Sequence, residues 1–477
     1  MRPALLDRLL RRAVPDRAQA VLAALDAGTV PDLADVGDAV ATFARRADQA
    51  LLTSGPAAAV APLTRATQVA FHRTLHFDGL RSPLVDAPQV LLGPLATSRS
   101  WRAAAAAHGR RSPAAPPPTG RPHRLLVATF KNWTFLDPVA RAYEERPDVE
   151  VHRLDLADLP GVPLSPQQQL RLRLTGPADA RTLPWAAELA AALDWADTVF
   201  FDWLQRGAVV LTSLDPGTTR VVVRLHSFEA FTPFPHLVDH SRVDDLVVVG
   251  PHLGRLLDRL VPAAAGPRRR LLANLGDLRR FAADKPDDAR LTLAVIGYGV
   301  VAKDPLWAVE VLAHLRSTDP RYRLLLVGAD LDPAGPAGAA AYRDRLERRI
   351  AEPDVAGAVE RVAFTDDVPA LLRRVGVVVS ASVRESFHLA LVEGAASGAV
   401  PVVRDWPLFA PVGGPCDLFP ADWVVHSPRA AAALVLARTA DAATWRRHGA
   451  AARRWVVERY DREATRRAYD EIVLGRD

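Results

Sequence analysis

Hydrophobic residues in the first hundred positions recur at helical spacing. Apolar side chains three and four residues apart mark four segments, LLDRLLRRAV, AQAVLAALDA, VGDAVATFARRADQALL and VAPLTRATQVAFHRTLHF. Such spacing predicts amphipathic helices. Because none of the four carries a cluster of reactive side chains, residues 1–105 are predicted to be a helical extension that packs on the main body or on another subunit. A peripheral contact with a membrane surface is the alternative.

An Ala- and Pro-rich stretch separates these helices from a second pattern. Residues 106–121, which include SPAAPPPTGR, have the composition of a linker, part of it extended polyproline. Residues 122–275 then alternate apolar runs with amphipathic stretches, which predicts a doubly wound parallel sheet. The predicted strands are His123–Phe130, Val149–Leu156, Thr198–Trp203, Arg220–His226 and Asp244–Val249, and the predicted helices are Phe135–Glu145, Pro184–Ala196 and Arg206–Ser213.

A second alternating block runs from residue 276 to about residue 450 and predicts a second sheet of the same kind. Its predicted strands are LTLAVIGYG from Leu291, Tyr322–Val327, Val359–Phe364, Val377–Val379 and Val400–Val403, and its predicted helices are Pro305–Leu315, Ala340–Ile350 and Val368–Arg374. Ala430–Ile472 has helical spacing, so helices are expected to follow the sheet.

The stretch from Val375 to Trp406 is the most informative part of the chain. The buried strand Val377–Val379 leads into small residues as far as Ser382, and Glu385 and Glu393 follow eight positions apart. A helix is predicted to begin near Glu385, which would put Glu393 about two turns into it. Backbone N–H groups at a helix N-terminus favour a phosphate; here they belong to Ser386, Phe387 and His388. Two glutamates on a helix edge are commonly only solvated, but their position between two buried strands favours a ligand site.

Composition narrows the classes of partner. The chain has 477 residues, 49% hydrophobic and 24% charged, with a net charge of +5. Its 60 basic residues include only three lysines, Lys131, Lys285 and Lys303, and the longest basic block is Arg268–Arg270. Because the arginines are dispersed among acids, a nucleic-acid partner is not expected, and an anionic nucleotide substrate fits the charge equally well.

Cysteine content and hydropathy restrict the expected disulfides, metal sites and cellular location. Cys416 is the only cysteine, which excludes an internal disulfide and disfavours a cysteine-based metal site. No apolar run approaches the length of a membrane span, and Met1–Arg17 is too charged for a signal peptide. A cytoplasmic protein, with membrane association at most peripheral, is therefore expected.

Polar side chains at the strand ends of the first sheet are candidates for the acceptor side of a cleft. His226 ends a buried strand at the edge where ligands bind, so it is a functional candidate as well as an ordinary packed histidine. The candidates are Lys131, Asn132 and Trp133 after the first strand, Asp202 after the third, and Glu229 with His226 after the fourth.

The stretch around Glu385 resembles a known motif. The pattern E-x7-E, with Ser382 ahead of it and Glu385-Ser386-Phe387 opening it, is similar to the donor-binding motif of the family-4 glycosyltransferases, retaining enzymes of the GT-B fold. The resemblance implies that Glu385 and the amides that follow hold the donor sugar, and that Glu393 binds the nucleotide ribose. The family usually has Gly at the position of His388.

Three further segments carry the same resemblance. Gly297 to Lys303 resembles the family's donor-phosphate loop G-R-L-x-x-x-K, which implies that Lys303 neutralises the leaving diphosphate; Tyr298 stands at the family's Arg, and Arg384 is the candidate substitute. His226 resembles the acceptor-domain His that contacts the donor sugar. The third segment, Asn274, Asp277 and Phe281, has the spacing of the family's crossing between sheets, with Leu275 in place of Gly.

Taken together, these patterns predict an α/β protein of the GT-B fold, with two facing doubly wound Rossmann-like domains and an N-terminal helical extension. Residues 122–275 would bind the acceptor, residues 276–450 would bind the nucleotide-sugar, and the C-terminal helix, residues 451–477, would pack back on the first sheet. The resemblance implies retaining, metal-independent transfer of a sugar from a nucleotide-sugar to a carbohydrate, lipid or small-molecule acceptor, without a cofactor.

The expected site combines catalytic and donor-binding side chains. The catalytic candidates are His226, Lys303 and Glu385, and the donor-binding candidates are Gly297, Tyr298, Lys303, Ser382, Arg384, Glu385, Ser386, Phe387, His388, Leu389 and Glu393. Asp330 and Asp332 form an Asp-x-Asp pair that could hold a divalent ion, although a solvated loop is the preferred interpretation. Two other functions stay open: epimerisation of a nucleotide-sugar, with His226, Glu229 and His388 as acids and bases, and a non-catalytic sugar-binding or interaction module.

Overall fold

The computed structural model describes residues 16–176, 183–282, 284–332 and 337–475. The predicted helix LLDRLLRRAV lies outside the described residues. The chain divides into two compact units; the first contains the described residues among 1–106, 163–178 and 336–338, and the second contains the rest. None of the described helices combines the length and the apolar character needed to cross a bilayer.

The first unit is helical, as its sequence pattern predicts. Gly55, with φ 85°, lets the chain reverse between two long helices whose apolar faces bury residues such as Phe43 and Leu63. Its helices are Arg17–Asp26, Leu33–Ser54, Pro56–Ala70, Arg73–His76, Pro83–Asp86, Pro88–Thr97, Arg99–Ala104 and Pro166–Thr175. The last was not predicted, because the leucines of PQQQLRLRLT alternate with polar residues and have no helical spacing. A capping box of Ser165 with Gln168 begins this helix, and the Arg173 guanidinium donates to the Ala104 carbonyl.

The second unit begins with a six-stranded parallel sheet in the order β2-β1-β3-β4-β5-β6. Its strands are β1 His123–Thr129, β2 Val149–Asp155, β3 Thr198–Asp202, β4 Arg220–Leu225, β5 Asp245–Val248 and β6 Arg268–Leu271, and its helices are Asp137–Glu144, Pro184–Trp195, Arg206–Leu211, Phe234–Leu237 and Pro251–Leu260. The order confirms the predicted doubly wound sheet. The chain reverses direction across the sheet between β1 and β3, which makes their carboxyl ends a switch point where ligands bind in such folds.

Strand β6 was not among the predicted strands, and it contains the longest basic block of the chain. The edge strand Arg268–Leu271 pairs with β5 along its whole length. Its arginines are accommodated because Arg268 and Arg270 both lie 3.1 Å from the buried Asp245 carboxylate, which also binds Arg220 at 2.5 Å. A run of arginines can thus form a strand when a buried carboxylate faces it.

A second six-stranded parallel sheet follows, in the order β12-β11-β10-β7-β8-β9. Its strands are β7 Thr292–Ile296, β8 Arg323–Val327, β9 Val359–Val362, β10 Val377–Ser380, β11 Val400–Arg404 and β12 Val424–Val425, and its helices are Pro305–Arg316, Ala337–Ile350, Val368–Leu372, Leu389–Ala396 and Pro428–Arg438. Leu389–Ala396 is called the site helix below. The switch point of this sheet lies between β7 and β10, so the loops that follow these two strands meet.

Close packing fixes the site helix on β10. A Cβ at Gly394 would come within 2.7 Å of the Val378 side chain, so only glycine allows this approach. Strand β10 is buried along its whole length, as its unbroken apolar run predicts. The site helix begins at Leu389 rather than near Glu385, which corrects the predicted start. Glu393 is consequently its fifth residue, little more than one turn from its N-terminus.

Two helices, Ala442–Tyr460 and Arg462–Val473, close the described chain. Side chains of the second, including Tyr469 and Ile472, pack into the core of the first sheet with residues such as Phe200. The predicted boundary between residues 450 and 451 falls inside the first of these helices. At the other predicted boundary, the linker is held to the first sheet, because the Arg110 guanidinium donates to both Asp244 carboxylate oxygens at 2.7 and 2.8 Å.

Candidate functional site

The loops after β7 and β10 bring Lys303 and Glu385 together. Lys303 Nζ donates to Glu385 Oε1 at 2.6 Å, and Ser382 Oγ donates to the same oxygen at 2.6 Å. The backbone joins the two loops as well, since Val383 N–H donates to the Ala302 carbonyl at 2.9 Å. The side chains of Lys303, Ser382 and Glu385, all three identified from the sequence, therefore meet at one carboxylate oxygen, although Lys303 and Glu385 are 82 positions apart.

Glu385 is held ionised by its neighbours. Burial disfavours its charge, but the charges of His388 and Lys303 and the hydrogen bonds from Lys303 and Ser382 outweigh burial and lower its pKa to about 2. Burial also lowers the pKa of His388 to about 4. His388 is therefore neutral at pH 7, so Lys303 and Ser382 are the partners that keep the Glu385 carboxylate charged there.

His388 adopts a backbone conformation that favours glycine. Its φ of 62° and ψ of 61° lie in the left-handed region, at the residue that precedes the site helix. Its side chain is only 7% exposed, with Nε2 3.7 Å from Glu385 Oε1, and Nδ1 has no hydrogen-bond partner in the described part of the chain. The imidazole thus fills space beside the Glu385 carboxylate that a glycine would leave open.

Backbone N–H groups around the start of the site helix are free to bind a ligand. Among the described residues, no acceptor takes a hydrogen bond from the N–H groups of Ser386, Phe387, His388, Leu389 and Ala390. Such a set of donors at a helix N-terminus favours an anion. The Phe387 ring points elsewhere, because it is fully buried with its edge against Tyr460, 4.9 Å between centroids, so Phe387 offers a ligand only its backbone.

Glu393 lies further along the site helix. Its carboxyl group forms no hydrogen bond or ion pair with another described residue, whereas its backbone carbonyl accepts the Ser397 N–H at 3.0 Å. Burial raises its pKa to about 7, and the charge of Arg280 opposes that rise. The structure therefore does not bring Glu393 into contact with the pair Lys303 and Glu385, and Glu393 is half-buried on the site helix.

Tyr298 stands where the family's phosphate loop has an arginine, and it supplies no positive charge there. Its side chain is 1% exposed, and its hydroxyl bonds to Arg361 and Asp330. Asp330 also accepts from its neighbouring N–H of Leu331 at 2.8 Å and lies 3.7 Å from Arg361. The first aspartate of the Asp-x-Asp pair therefore faces an arginine, which competes with a metal ion. No group of three or more possible metal ligands occurs among the described residues.

Arg384, the candidate substitute cation, is buried over an aromatic ring. Its guanidinium carbon lies 5.0 Å from the centroid of Phe231, a residue that follows β4 in the first sheet. Burial lowers its pKa to about 10, and the nearby charge of Glu385 opposes that shift. Arg384 thus remains charged at neutral pH and is in contact with the half of the unit that carries the first sheet.

Sequence reasoning missed His252, which connects the two sheets at the site. His252, fully buried at the start of the helix Pro251–Leu260, lies with Nε2 2.9 Å from the Glu385 carbonyl oxygen. Burial lowers its pKa to about 4, so it is neutral at pH 7. Its only signal in the sequence was its place after a buried strand, the position that identified His226.

A second missed residue, Asp304, supports the loop that carries Lys303. Asp304 accepts hydrogen bonds from the Tyr342 hydroxyl and the Arg404 guanidinium, each at 2.6 Å, and its φ is 42°. Its neighbours therefore hold this residue in a conformation that is uncommon for a non-glycine residue. Because Asp304 follows Lys303 directly, this network fixes the backbone from which the ammonium extends.

Asp202 organises the carboxyl edge of the first sheet. The Arg224 guanidinium donates to both of its oxygens at 2.7 Å, and His226 Nε2 lies 3.0 Å from Oδ1. Burial disfavours the charge of Asp202, but the charges of Arg224 and His226 lower its pKa overall. The three side chains form one buried network, so the structure brings the predicted Asp202 and His226 together.

His226 is enclosed between two aromatic rings. Its centroid is 4.8 Å from that of Phe135 and 4.1 Å from that of Trp203, and the residue is 2% exposed. Burial lowers its pKa despite the neighbouring Asp202 carboxylate. Its Nδ1 has no hydrogen-bond partner in the described chain. The ring is thus a neutral imidazole with one unused nitrogen.

Glu229 is a neutral acid beneath the same edge. It is fully buried, its Oε1 accepts the His226 N–H at 2.9 Å, and burial raises its pKa to about 8. It supports the His226 backbone and has no exposed surface through which a ligand could be reached.

The other acceptor-side candidates form a separate loop after β1. Asp155, which sequence reasoning did not select, accepts the Lys131 N–H at 3.0 Å and the Trp133 indole N–H at 3.1 Å. Lys131 has φ 65°, and Asn132 accepts the Thr134 N–H through its side chain at 3.2 Å. These residues follow β1, one of the two strands at the switch point of the first sheet. Among the described residues, no direct hydrogen bond or ion pair joins them to Asp202 or Glu229. The Thr129 hydroxyl links the two groups, because it contacts the carbonyls of Asn132 and Asp202.

Comparisons with known proteins add to this geometry. Residues 290–435 match the family model described as "Glycosyl transferases group 1". A comparison with curated protein sequences found no significant match. Among solved structures, Anabaena Alr3699/HepE in complex with UDP aligns with a TM-score of 0.56 at 14% identity, over 74% of this chain and 100% of that chain.

Two further solved structures align in the same way. Anabaena Alr3699/HepE in complex with UDP-glucose aligns with a TM-score of 0.54 at 15% identity, over 74% of this chain and 100% of that chain. A glycosyltransferase from Rickettsia africae ESF-5 aligns with a TM-score of 0.51 at 13% identity, over 74% of this chain and 98% of that chain. The protein therefore has the GT-B fold with a helical N-terminal region, and its second sheet lies in a region similar to the group 1 glycosyltransferases.

Proposed function

We propose that this protein transfers a sugar from a nucleotide-sugar donor to an acceptor hydroxyl, with retention of configuration and without a metal ion. The observation that carries the proposal is the contact of Lys303 and Ser382 with Glu385 beside the unused N–H groups from Ser386 to Ala390. A cation, a carboxylate and a row of amide donors in one place suit a molecule that joins a phosphate to a polyhydroxyl group.

Lys303 can serve both partners in this arrangement. An ammonium has three N–H donors, and Glu385 Oε1 uses one of them, so the other donors can bind a donor phosphate. The positive charge would stabilise the diphosphate as the bond to the sugar breaks, and the N–H groups at the site helix would share that charge. The positive charge that a metal ion would supply is thus available from the chain itself.

Glu385 is suited to binding hydroxyl groups rather than to taking a proton. A carboxylate whose pKa is about 2 is a weak base at neutral pH. We therefore propose that Glu385 accepts hydrogen bonds from the sugar. The acceptor oxygen bonds to the anomeric carbon as the carbon–oxygen bond to the diphosphate breaks, and the acceptor proton passes to the departing phosphate oxygen. This route leaves no role for an enzyme base and retains the configuration.

Glu393 and His226 would contact the two ends of the donor. Because the pKa of Glu393 is about 7, its carboxyl group is present in both forms at neutral pH. It can therefore accept a hydrogen bond from a ribose diol or donate one to it. His226 has an unused Nδ1 at the ligand-binding edge of the first sheet, and this atom would contact the sugar near the reacting carbon. Asp202 would position the ring by accepting a hydrogen bond from Nε2–H.

A non-catalytic sugar-binding module is the second candidate. It is favoured by Tyr298, which is buried against Arg361 and Asp330 and leaves the phosphate loop with one cation fewer than the family pattern. In this function the same residues would bind the donor or a glycan without turnover.

Nucleotide release from a panel of nucleotide-sugars distinguishes these functions. UDP-glucose belongs in the panel because a structure of similar fold was solved with it. Release that depends on an added acceptor supports transfer, and analysis of the product anomer tests retention. Conversion of the donor without release indicates epimerisation, and binding without either reaction indicates the module. Activity that survives EDTA supports the metal-free assignment, and activity lost to EDTA and restored by a divalent ion contradicts it.

A further inference from the structure

A cavity of about 670 Å³ lies at the end of the site helix opposite the donor residues. It is bounded by the segment around Lys285, by Ser397 at the C-terminal end of the site helix, and by one face of the helix Ala442–Tyr460. A Cβ at Gly449 would come within 2.1 Å of the Gly398 carbonyl oxygen, so a glycine is what lets this helix approach the site helix. The charged side chains of the cavity are Arg279, Asp284, Lys285, Arg446, Arg453 and Arg454, and they define the basic pocket.

Two of the five cations in the basic pocket are balanced by carboxylates outside it. Arg279 lies 3.7 Å from Asp461, and Arg446 forms an ion pair with Asp287. These pairs reduce the field that the two arginines present to the cavity.

Lys285 has no such balance. Its Nζ donates to the Val375 carbonyl at 2.5 Å and to Ser397 Oγ at 2.8 Å, both neutral acceptors, and no carboxylate of the described chain lies within ion-pair distance. Burial without an anionic partner lowers the pKa of Lys285 to about 7. An anion in the cavity would favour the charged form of this lysine, so the binding of the anion and of a proton would reinforce each other.

Arg453 and Arg454 supply the remaining positive charge. They are exposed neighbours on the helix Ala442–Tyr460, and neither forms an ion pair or hydrogen bond with another described residue. Asp284 is the only carboxylate among the pocket residues. The concave surface therefore has a net positive charge, whereas exposed arginines elsewhere on this protein commonly pair with acids, as Arg321 does with Asp319.

We propose that the basic pocket binds a small phosphate-bearing anion. Two guanidinium groups that line one cavity suit phosphate because each can donate two parallel hydrogen bonds to its oxygens. A volume of about 670 Å³ accommodates a small ligand, and Trp445 and Val457 provide an apolar wall for its organic part. A soluble phosphate ester and the headgroup of an anionic phospholipid share this chemistry. The proposal does not depend on the proposed glycosyl transfer.

Isothermal titration with inorganic pyrophosphate tests the basic pocket directly. The titration uses full-length protein carrying Lys303→Ala, because the donor site could bind the same probe. The test variant adds Arg453→Gln and Arg454→Gln. The matched control adds Arg447→Gln and Arg459→Gln instead, since these exposed residues lie on the same helix but not in the cavity and remove the same charge. Circular dichroism of each variant, and the same comparison with Lys303 intact, exclude loss of folding as the cause.

We expect the Arg453 and Arg454 pair of substitutions to raise the Kd of pyrophosphate about tenfold or more relative to the control pair. Sedimentation with vesicles of phosphatidic acid and phosphatidylcholine in equal parts identifies the source of the phosphate. Binding to vesicles but not to pyrophosphate, with the same dependence on Arg453 and Arg454, supports a lipid headgroup. Equal affinities of the test and control variants, or no binding to either probe, would overturn the proposal.

Discussion

Replacing Lys303 by alanine tests the centre of the proposed donor site. In the native protein, Lys303 Nζ lies 2.6 Å from Glu385 Oε1, and the lysine side chain is 22% exposed. The substitution removes the only ammonium of the phosphate loop and leaves Glu385 with Ser382 as its one hydrogen-bonding side chain. Two quantities should change together, the turnover and the pKa of Glu385.

The turnover should fall about a hundredfold, which corresponds to roughly 2.7 kcal/mol of lost transition-state stabilisation. A loss of this size is expected for one preorganised charge on a leaving group in a partly enclosed site. The pKa of Glu385 should rise from about 2, because burial continues to disfavour its charge after the ammonium is gone. As the pH is lowered, the variant should therefore lose its remaining activity at a higher pH than the native enzyme does.

The same substitution should change how stability depends on pH. The native pKa of Glu385 lies below the ordinary value of 4.5, so this group stabilises the native state above about pH 4.5 and loses that contribution as the pH falls toward 2. In Lys303→Ala this acid-dependent loss should shrink. Urea unfolding between pH 5 and pH 3 measures it.

Acceptor-dependent nucleotide release, followed over a pH series, is the assay for turnover. The control is Arg447→Ala, which removes one exposed cation from the helix Ala442–Tyr460 and should leave the rate unchanged. A Lys303→Ala enzyme with near-native kcat and an unaltered pH profile would refute the reasoning, since the contact with Glu385 would then have no part in catalysis.

Three further predictions concern neighbouring groups. Glu229→Gln should stabilise the protein by on the order of 5 kcal/mol at pH 9 and little at pH 4, because a carboxyl whose pKa is raised to about 8 destabilises the native state progressively as the pH rises above 4.5; urea unfolding at the two pH values checks this. At position 388, the His388→Gly variant should be about 1 kcal/mol more stable than His388→Ala, because φ is 62° there; their melting temperatures decide it. Arg224→Met should cost about 3–5 kcal/mol by leaving the buried Asp202 carboxylate without its cation, and adding Asp202→Leu should restore part of that stability.

Elements that depend on local pattern were predictable. Strand β10 was identified because a parallel strand covered on both faces has no polar alternation, and the return to helical spacing after it identified the site helix. The resemblance to the family's motifs implied that Lys303 and Glu385 share one site, and the topology accounts for their contact, since both residues come after strands that are neighbours at a switch point.

Elements that depend on distant partners were not predictable. The strand Arg268–Leu271 required the buried Asp245, and the leucines of the helix Pro166–Thr175 alternate with polar residues instead of recurring at helical spacing. The start of the site helix moved to Leu389 because His388 adopts a left-handed conformation, which sequence spacing does not show. His252 and Asp304 were missed for the same reason, because their partners lie far away along the chain.

The amino-acid sequence by itself determined the two alternating sheets, the helical N-terminal region and the identity of the paired groups at the second switch point. The sheets and the helical region follow from periodicity, which is a property of neighbouring residues, and the paired groups were identified by their resemblance to the family's motifs. The tertiary structure alone decided which charges are present at neutral pH, with Glu385 ionised and Glu229 and His388 neutral. The reason is physical: burial and opposing charges set a pKa, and both depend on atoms that folding brings together from separate parts of the chain.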